Sequence, residues 1–236
     1  MVKKEYYELR NFIVCKENKE AYDTVLKIIE GSIYDKLIMF YGNKATGKTH
    51  LLNIMANGLK NNKSVLSITS GEFIKDVINL NKGVNSFEKY SNIEVLIVDD
   101  IQCFKDAPNS MTEFEEVLKF LLENNKMIIL SSDVALENLK VSEQLKKILE
   151  DSLKVQLEMP DNSTKLKIVN EIINEGLSLP NQRIFFDGLK RYIADNSLDL
   201  KKLENMIYKL MAYYYLTKKY PHSLQEAIDI LKKQII

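Results

Sequence analysis

The sequence has 236 residues, of which 45% are hydrophobic and 28% are charged, as in ordinary soluble globular proteins. This length allows one large α/β domain or a core with a small second domain. Its 33 basic and 33 acidic residues give a formal net charge of zero, which excludes a global positive field that would attract nucleic acid.

The two cysteines, Cys15 and Cys103, have no spacing typical of a disulfide framework or a zinc site. The N-terminus, MVKKEYYELRN, contains no apolar signal core, and no run of 18 apolar residues occurs in the chain. These features predict a cytoplasmic protein, free or associated with the nucleoid, rather than a secreted or membrane-spanning one.

Short β-rich runs alternate with segments of helical periodicity through the first two thirds of the chain. Strands are predicted at residues 36–42, 64–69, 95–100, 127–133 and 155–159. Helices are predicted at residues 17–30, 49–60, 71–80, 111–124 and 142–150. Because several strands are almost wholly apolar, we expect a doubly wound parallel sheet that is covered by helices on both faces.

After Pro160 the strand signals stop, and apolar residues recur at helical intervals. Two such series are Leu166, Val169, Ile172 and Ile173, and then Leu203, Met206, Ile207, Leu210 and Met211. We therefore predict two domains, an α/β nucleotide-binding core at residues 1–160 and a small all-helical domain at residues 161–236.

Residues 42–49, Gly-Asn-Lys-Ala-Thr-Gly-Lys-Thr, match the pattern GxxxxGK[ST] in full, between a predicted strand and a predicted helix. Glycines let the backbone curl so that its N–H groups face phosphate oxygens, and the helix N-terminus adds partial positive charge. Lys48 is expected to reach the β- and γ-phosphates, and Thr49 to ligate Mg²⁺. The alternative is a glycine-containing turn with a solvated lysine.

The predicted nucleotide-binding residues in this segment are Gly42, Asn43, Lys44, Ala45, Thr46, Gly47, Lys48, Thr49 and His50. Of these, His50 is expected to pack or face solvent rather than act as a base.

Two acids, Asp99 and Asp100, end the apolar run VLIV. Carboxylates at the end of a buried strand are costly unless they face a cation or a polar cleft. We predict that Asp99 and Thr49 ligate Mg²⁺ and that Asp100 is catalytic and polarises the attacking water. The alternative is a pair of strand-terminal acids that enter a turn.

The next predicted strand ends in Leu-Ser-Ser-Asp, at residues 130–133. Ser131, Ser132 and Asp133 would emerge at the carboxyl edge of the sheet, where ligands bind in open α/β folds. Ser132 and Asp133 are therefore candidate sensors of the γ-phosphate or the attacking water. A simple turn is the alternative interpretation.

Together these segments resemble the AAA+ ATPase domain of the bacterial replication initiator DnaA family. GKTHLLNI resembles its P-loop helix, FEKYSNIEVLIVDDIQCF its acid strand, EFEEVLKFLLENNKMIILSSD its sensor strand, and IADNSLDLKKLENMIYKLMAYY its lid helix. The resemblance implies a P-loop AAA+ core with a five-stranded parallel sheet flanked by helices, followed by a helical lid. It also implies binding of ATP or ADP with Mg²⁺ and a role in nucleoprotein assemblies at replication origins.

The sequence departs from the family pattern at three places. It ends at SLQEAIDILKKQII, before the family's C-terminal DNA-binding domain, which implies a short, Hda-like form without duplex recognition. Ile148 falls where the family carries an arginine finger, which is worth about 10³ to 10⁵ in rate, so we expect slow or partner-dependent hydrolysis. Lys201 falls where the family carries a lid arginine that senses the γ-phosphate, and a lysine can neutralise phosphate only as a point charge.

The family contacts single-stranded DNA through an insertion that corresponds here to about residues 71–92. This segment offers Lys75, Lys82 and Lys89, with Phe87 and Tyr90 as candidate stacking groups. Because core packing of the rings and solvation of the lysines are the simpler interpretations, any contact with single-stranded DNA is expected to be weak.

The sequence leaves three functions open. The first is a DnaA-related nucleotide switch that acts in initiation of chromosomal replication or its regulation. It would contact full-length DnaA, the replicative helicase or the sliding clamp, and would self-associate in a nucleotide-dependent way. The second is a helicase loader, and the third is a metabolic phosphotransferase. We favour the first. The phosphotransferase is less favoured because no acceptor-binding constellation is visible. The helicase loader is less favoured because such loaders usually carry a helicase-binding segment ahead of the ATPase core, whereas this chain starts almost directly at the core.

Overall fold

The computed structural model of the protein describes residues 12–80, 86–176 and 184–232. The chain folds into two compact units. The first comprises residues 12–14 and Asn18–Glu158, and the second comprises Cys15–Glu17 and the residues from Met159 onward. Each unit has its own buried apolar core.

A five-stranded parallel sheet, with strand order β2-β3-β4-β1-β5, forms the centre of the first unit. The strands are β1 (Leu37–Tyr41), β2 (Val65–Thr69), β3 (Val95–Asp99), β4 (Met127–Ser132) and β5 (Leu153–Gln156). Because all neighbouring strands are parallel, their carboxyl ends lie along one edge. The turn after β1 therefore lies beside the end of β4.

Helices cover both faces of this sheet. In the described part of the first unit they are α1 (Lys19–Glu30), α2 (Lys48–Leu59), α3 (Ser70–Leu80), α4 (Ser86–Ser91), α5 (Pro108–Glu123) and α6 (Glu143–Glu150). Successive strand residues enter opposite cores: Ile38 and Phe40 pack with α1 and α2, whereas Leu37 and Met39 pack with α3, α5 and α6. This alternation explains why the strands are apolar on both faces. The predicted doubly wound α/β fold is confirmed.

Several local features differ from the prediction, and one of them is helix α4, which lies where no helix was predicted. The fifth strand, expected at residues 155–159, is Leu153–Gln156, because pairing of Leu153 with Ile38 sets its register. A short 3₁₀ helix, Ile101–Asp106, follows the acid pair directly, and no helix was predicted there. The cause is Asp100, whose left-handed backbone turns the chain as it leaves the sheet.

The described part of the second unit is helical. Its helices are α7 (Asn162–Gly176), α8 (Asp187–Asn196), α9 (Leu200–Thr217) and α10 (Leu224–Lys232). Helix α9 begins after Asp199, whose carboxylate accepts a hydrogen bond from the Lys202 N–H at 2.7 Å and so caps the helix. Ile173, Ile193 and Leu203 from three different helices are fully buried in one core. No helix in the described residues is long and apolar enough to cross a membrane.

Candidate functional site

The turn after β1 leads directly into α2, which begins at Lys48. Ala45 and Gly47 have positive φ angles of 55° and 107°, a backbone arrangement that can point successive N–H groups at a common anion. Gly42 lies so close to the backbone that follows β5 that a Cβ at this position would be 2.0 Å from the Leu157 carbonyl oxygen. Glycine is therefore required at position 42 by contact and at position 47 by conformation.

Lys48 is buried, and its amine lies inside this turn. The amine donates hydrogen bonds to the carbonyl oxygens of Gly42 and Asn43, both at 2.8 Å, and lies 2.9 Å from Asp133 Oδ1. The Thr46 hydroxyl also donates to the Asn43 carbonyl, at 3.1 Å. The motif lysine is thus held at the carboxyl edge of the sheet by three oxygens.

The two predicted metal ligands are in direct contact. Thr49 Oγ1 donates a hydrogen bond to Asp99 Oδ2 at 2.6 Å, although the residues are 50 positions apart. The hydroxyl of Ser131, at the end of β4, donates to Asp99 Oδ1. Both Asp99 and Ser131 are buried. The structure therefore brings Thr49 and Asp99 together and orients the carboxylate from the neighbouring strand.

Asp100 lies one residue beyond β3 with φ 63° and ψ 47°, a left-handed conformation that is uncommon outside glycine. Its N–H donates to Ser131 Oγ at 2.9 Å, and its carbonyl accepts from Ser70 Oγ at 2.8 Å. Burial raises the pKa of the Asp100 carboxyl, and the charges of Asp99 and Asp133 raise it further. A hydrogen bond from Gln102 and the charge of Lys48 oppose this rise.

Gln102 connects the second acid to the end of β4. Its Nε2 donates to Asp100 Oδ1 at 2.9 Å, and its Oε1 accepts from the Asp133 N–H at 3.1 Å. One side-chain amide therefore links Asp100 to the residue that contacts Lys48. No role was predicted for Gln102, and no positioning role was predicted for Ser131. Gln102 lies two residues after Asp100 and Ser131 lies at the end of β4, but only the strand pairing shows what they contact.

The two candidate sensors have different surroundings. Asp133 contacts Lys48 and lies 3.9 Å from the amine of Lys44, which is exposed. Ser132 is fully buried. Its hydroxyl accepts from the Val134 N–H at 3.1 Å, and its carbonyl accepts from the Gly42 N–H at 3.2 Å. Asp133 therefore faces the loop with its side chain, whereas Ser132 braces the loop through its backbone.

Comparison with known proteins identifies the family. Residues 3–159 match the sequence model described as the bacterial DnaA ATPase domain. The chain belongs to the bacterial DnaA ATPase domain family. It is 32% identical over 234 residues to the chromosomal replication initiator protein DnaA of Wolinella succinogenes. That match covers 95% of this chain and 52% of the relative, so the chain spans about half the length of such DnaA proteins.

Solved DnaA structures share the fold. Domain III of the Thermotoga maritima replication initiation protein DnaA superposes with a TM-score of 0.86 at 29% identity, covering 96% of each chain. AMPPCP-bound DnaA from Aquifex aeolicus gives a TM-score of 0.75 at 28% identity, over 94% of this chain and 67% of that one. The resemblance to DnaA and the AAA+ architecture, both predicted from the sequence, are confirmed.

Three other predicted positions lie apart from the loop or outside the first unit. His50 packs edge-on against Phe12, with ring centroids 5.5 Å apart, and burial lowers its pKa to about 4. Ile148, predicted to fall at the position of the family's arginine finger, is partly buried against the core and lines a cleft of about 520 Å³ with Lys147. Lys201 is exposed at the start of α9 in the second unit. Its role as a γ-phosphate sensor stays a prediction.

Residues 71–92, predicted to correspond to the family's single-stranded DNA insertion, include most of α3 and all of α4. Tyr90, a candidate stacking group, is buried with its ring 5.8 Å from that of Phe73, so the preferred interpretation, core packing, is confirmed for this residue. Lys89 pairs with Asp76, and Lys75 is exposed. Lys82 and the side chain of Phe87 lie outside the described residues.

The donors at this edge fit Mg²⁺. Among the described residues, no group of three or more His, Cys, Asp or Glu side chains is arranged to hold a metal ion. Thr49 and Asp99 supply two oxygen ligands in contact. Mg²⁺ typically binds one or two protein carboxylates and takes its other ligands from phosphate and water. This pair therefore suits an ion that arrives with a nucleotide.

Proposed function

We propose that this chain is an AAA+ nucleotide switch of the DnaA family that binds ATP or ADP with Mg²⁺. Three groups directly behind the phosphate loop carry this proposal: the Lys48 amine, the Thr49 hydroxyl and the Asp99 carboxylate. They supply the positive charge and the metal ligands that a P-loop requires. Binding of AMPPCP, an analogue of ATP, to the Aquifex aeolicus relative supports an adenine nucleotide as ligand.

Nucleotide binding exchanges the partners of Lys48. In the structure its amine is paired with Asp133 and two carbonyl oxygens. We expect the amine to move to the β- and γ-phosphates, which leaves Asp133 without its cation. Asp99, Asp100 and Asp133 then all lie near a polyanion, so Mg²⁺ is needed to balance the negative charge.

Hydrolysis requires a group that orients the attacking water, and we assign this role to Asp100. Its left-handed backbone and its bonds to Ser131 and Gln102 fix its position. Chemistry is expected to be slow in the protein alone, because the aliphatic Ile148 cannot stabilise transition-state charge in a neighbour. A partner that donates an arginine is therefore expected to accelerate it.

We further propose that the switch acts in initiation of chromosomal replication, or in its regulation, through protein contacts. The expected partners are full-length DnaA, the replicative helicase or the sliding clamp, and self-association is expected to depend on the nucleotide. Membership of the DnaA ATPase family supports this role. Lys201 is expected to report the γ-phosphate, so Lys201→Ala should weaken ATP binding more than ADP binding in a fluorescent-nucleotide titration.

Thermal unfolding with and without Mg²⁺–ATP tests the site. At 100 times the Kd, a bound ligand stabilises by about 2.7 kcal/mol, which corresponds to a rise in Tm of about 5 to 11 °C for a protein of this size. Lys48→Ala should abolish this rise. Lys60→Ala, which changes an exposed lysine after α2, should keep it. A wild-type Tm that ATP leaves unchanged, or a full shift in Lys48→Ala, would contradict the assignment.

A further inference from the structure

The end of α9 and the turn after it carry an exposed surface in the second unit. We call it the tyrosine–lysine face, and it consists of Tyr208, Tyr215, Leu216, Lys218, Lys219 and Tyr220. Tyr208 is 52% exposed, Tyr215 56% and Leu216 73%. Because Tyr208 and Tyr215 are seven residues apart, their side chains leave the same side of the helix, about 10 Å apart along its axis.

The charge of this stretch is unusual for the chain. No acidic residue occurs between Glu204 and Glu226, although the chain has 33 Asp and Glu residues among 236. The amine of Lys209 donates to the Leu231 carbonyl at 2.7 Å and so anchors α10. Lys218 and Lys219 are left exposed at the helix end. In a chain of zero net charge, positive charge and exposed rings are thus concentrated together.

Local hydrogen bonds fix the geometry of this helix end. Lys218 has φ 57°, and its N–H donates to the Tyr214 carbonyl at 2.7 Å. The Thr217 hydroxyl donates to the Tyr213 carbonyl at 2.8 Å and accepts from the Lys219 N–H at 3.1 Å. The Lys218 amine lies 5.7 Å from the centroid of the Tyr215 ring. The backbone of the helix end is therefore ordered, and a cation lies next to an exposed ring.

We propose that the tyrosine–lysine face binds single-stranded nucleic acid. Unpaired bases would stack on Tyr208 and Tyr215, and backbone phosphates would pair with Lys218 and Lys219. Every base has a π-face and every phosphate needs only a nearby cation, so this combination requires no particular base sequence. The segment has no carboxylate between Glu204, one helical turn before Tyr208, and Glu226, so a polyanion next to Lys218 and Lys219 meets no acidic residue from the intervening chain. A duplex suits the face poorly, because its bases are already stacked.

This inference goes beyond the nucleotide switch and does not depend on it. The tyrosine–lysine face belongs to the second compact unit, whereas the phosphate loop belongs to the first. It also differs from residues 71–92, where Tyr90 is buried and Lys89 is paired with Asp76. Lys48→Ala, which removes the nucleotide site, should therefore keep its affinity for single strands.

Fluorescence anisotropy of the full chain with a labelled oligothymidylate, an oligouridylate and a duplex of equal length tests the proposal. Both single strands should bind more tightly than the duplex. Tyr208→Ala/Tyr215→Ala should weaken binding about tenfold or more, because two stacked bases lose their platforms. Lys218→Gln/Lys219→Gln should lower the slope of log K against log salt by about 1.4, since each single-strand phosphate contact contributes about 0.7.

Control variants change exposed residues of the same types in the first unit. Tyr34→Ala removes a ring that is 93% exposed, and Lys27→Gln/Lys60→Gln removes two exposed lysines. These variants should bind single strands like the wild type. The lysine pair keeps the test valid if circular dichroism shows that the tyrosine pair loses helix, because it leaves the apolar contacts in place.

Several outcomes would overturn the proposal. One is a wild-type protein that binds single strands no better than the duplex. Another is a set of face variants that bind like the controls, or a loss of binding caused only by Lys75→Ala. A third is a change confined to self-association in sedimentation experiments, which would make the face a protein contact surface.

Discussion

Ser131 bonds two neighbouring acids with one hydroxyl, which donates to the Asp99 carboxylate and accepts from the Asp100 N–H. It is fully buried, so water cannot replace either bond. A residue that orients a metal-binding carboxylate typically changes metal affinity by about 10- to 100-fold when it is removed. Ser131 is therefore expected to tune Mg²⁺ binding without touching the ion.

Ser131→Ala should raise the Mg²⁺ concentration needed for nucleotide binding by about tenfold or more. It should also lower the free energy of unfolding by about 1 to 3 kcal/mol, because buried polar groups lose their partner. Ser131→Thr keeps the hydroxyl and should retain most of the metal affinity. The readout is a Mg²⁺ titration at fixed fluorescent nucleotide. Equal Mg²⁺ dependence of Ser131→Ala and the wild type would rule out this role.

A second single-residue effect concerns Glu204 on α9, whose pKa burial raises above its ordinary value near 4.5. A carboxyl with a higher pKa in the folded state contributes stability below its unfolded pKa and loses that contribution as pH rises through its folded pKa. Glu204→Gln should therefore unfold at higher urea than the wild type at neutral pH. The difference should disappear below about pH 4, where the wild-type carboxyl is protonated in both states. An equal gain at both pH values would contradict burial of the charge as its cause.

Secondary-structure elements place the site, and the sequence predicted most of them. The apolar runs predicted β1 to β4 to within one residue at each end, and β1, β3 and β4 are buried along almost their whole length, whereas β2 at the sheet edge is only partly buried. The edge strand β5 was predicted to begin two residues and to end three residues too late, because its register depends on pairing with β1, which the sequence does not show. The GxxxxGK[ST] motif predicted the phosphate loop at Gly42–Thr49, and the apolar strand before Asp99 predicted that this acid lies at the edge of the sheet. The bonds of Ser131 and Gln102 did not, because they depend on the pairing of β3 with β4, residues about 30 positions apart.

The junction between β1 and α2 can be tested by a pair of glycine substitutions. In Gly42→Ala the new methyl group would lie 2.0 Å from the Leu157 carbonyl oxygen, so β5 or the loop must move. Gly31, at the end of α1, also has a positive φ, 74°, but a Cβ there would meet no atom within 4 Å. Gly31→Ala should therefore cost only the left-handed strain, about 1 to 2 kcal/mol.

Gly42→Ala should cost more than Gly31→Ala in urea unfolding, and it should also weaken nucleotide binding. The difference between the two variants reports the contact with Leu157 together with any additional backbone strain at Gly42, whose φ is 153°. Equal stability of the two variants would show that the close approach of Leu157 is easily relieved.

For the molecule as a whole, the proposed switch depends on what a partner contributes. ATP turnover by the protein alone should be slow, and addition of full-length DnaA with an arginine finger should raise it. The increase should approach the factor of about 10³ to 10⁵ that such a residue provides, if the arginine reaches the γ-phosphate. A phosphate-release assay measures both rates. Finger-substituted DnaA and Asp100→Asn are the matched controls, and each should remove the increase. Rapid turnover without a partner would contradict the assignment of Ile148.

The pairing of Lys48 with Asp133 and of Thr49 with Asp99 is expected to limit which ligands the phosphate loop binds. A ligand that binds there has to replace two internal contacts at once. An anion must take the place of Asp133 beside Lys48, and a metal ion must take the place of the hydrogen bond between Thr49 and Asp99. Free inorganic phosphate can replace only Asp133 beside Lys48, and a lone divalent ion can replace only the contact between Thr49 and Asp99. We therefore expect the phosphate loop to bind metal-chelated polyphosphates in preference to other common cellular anions.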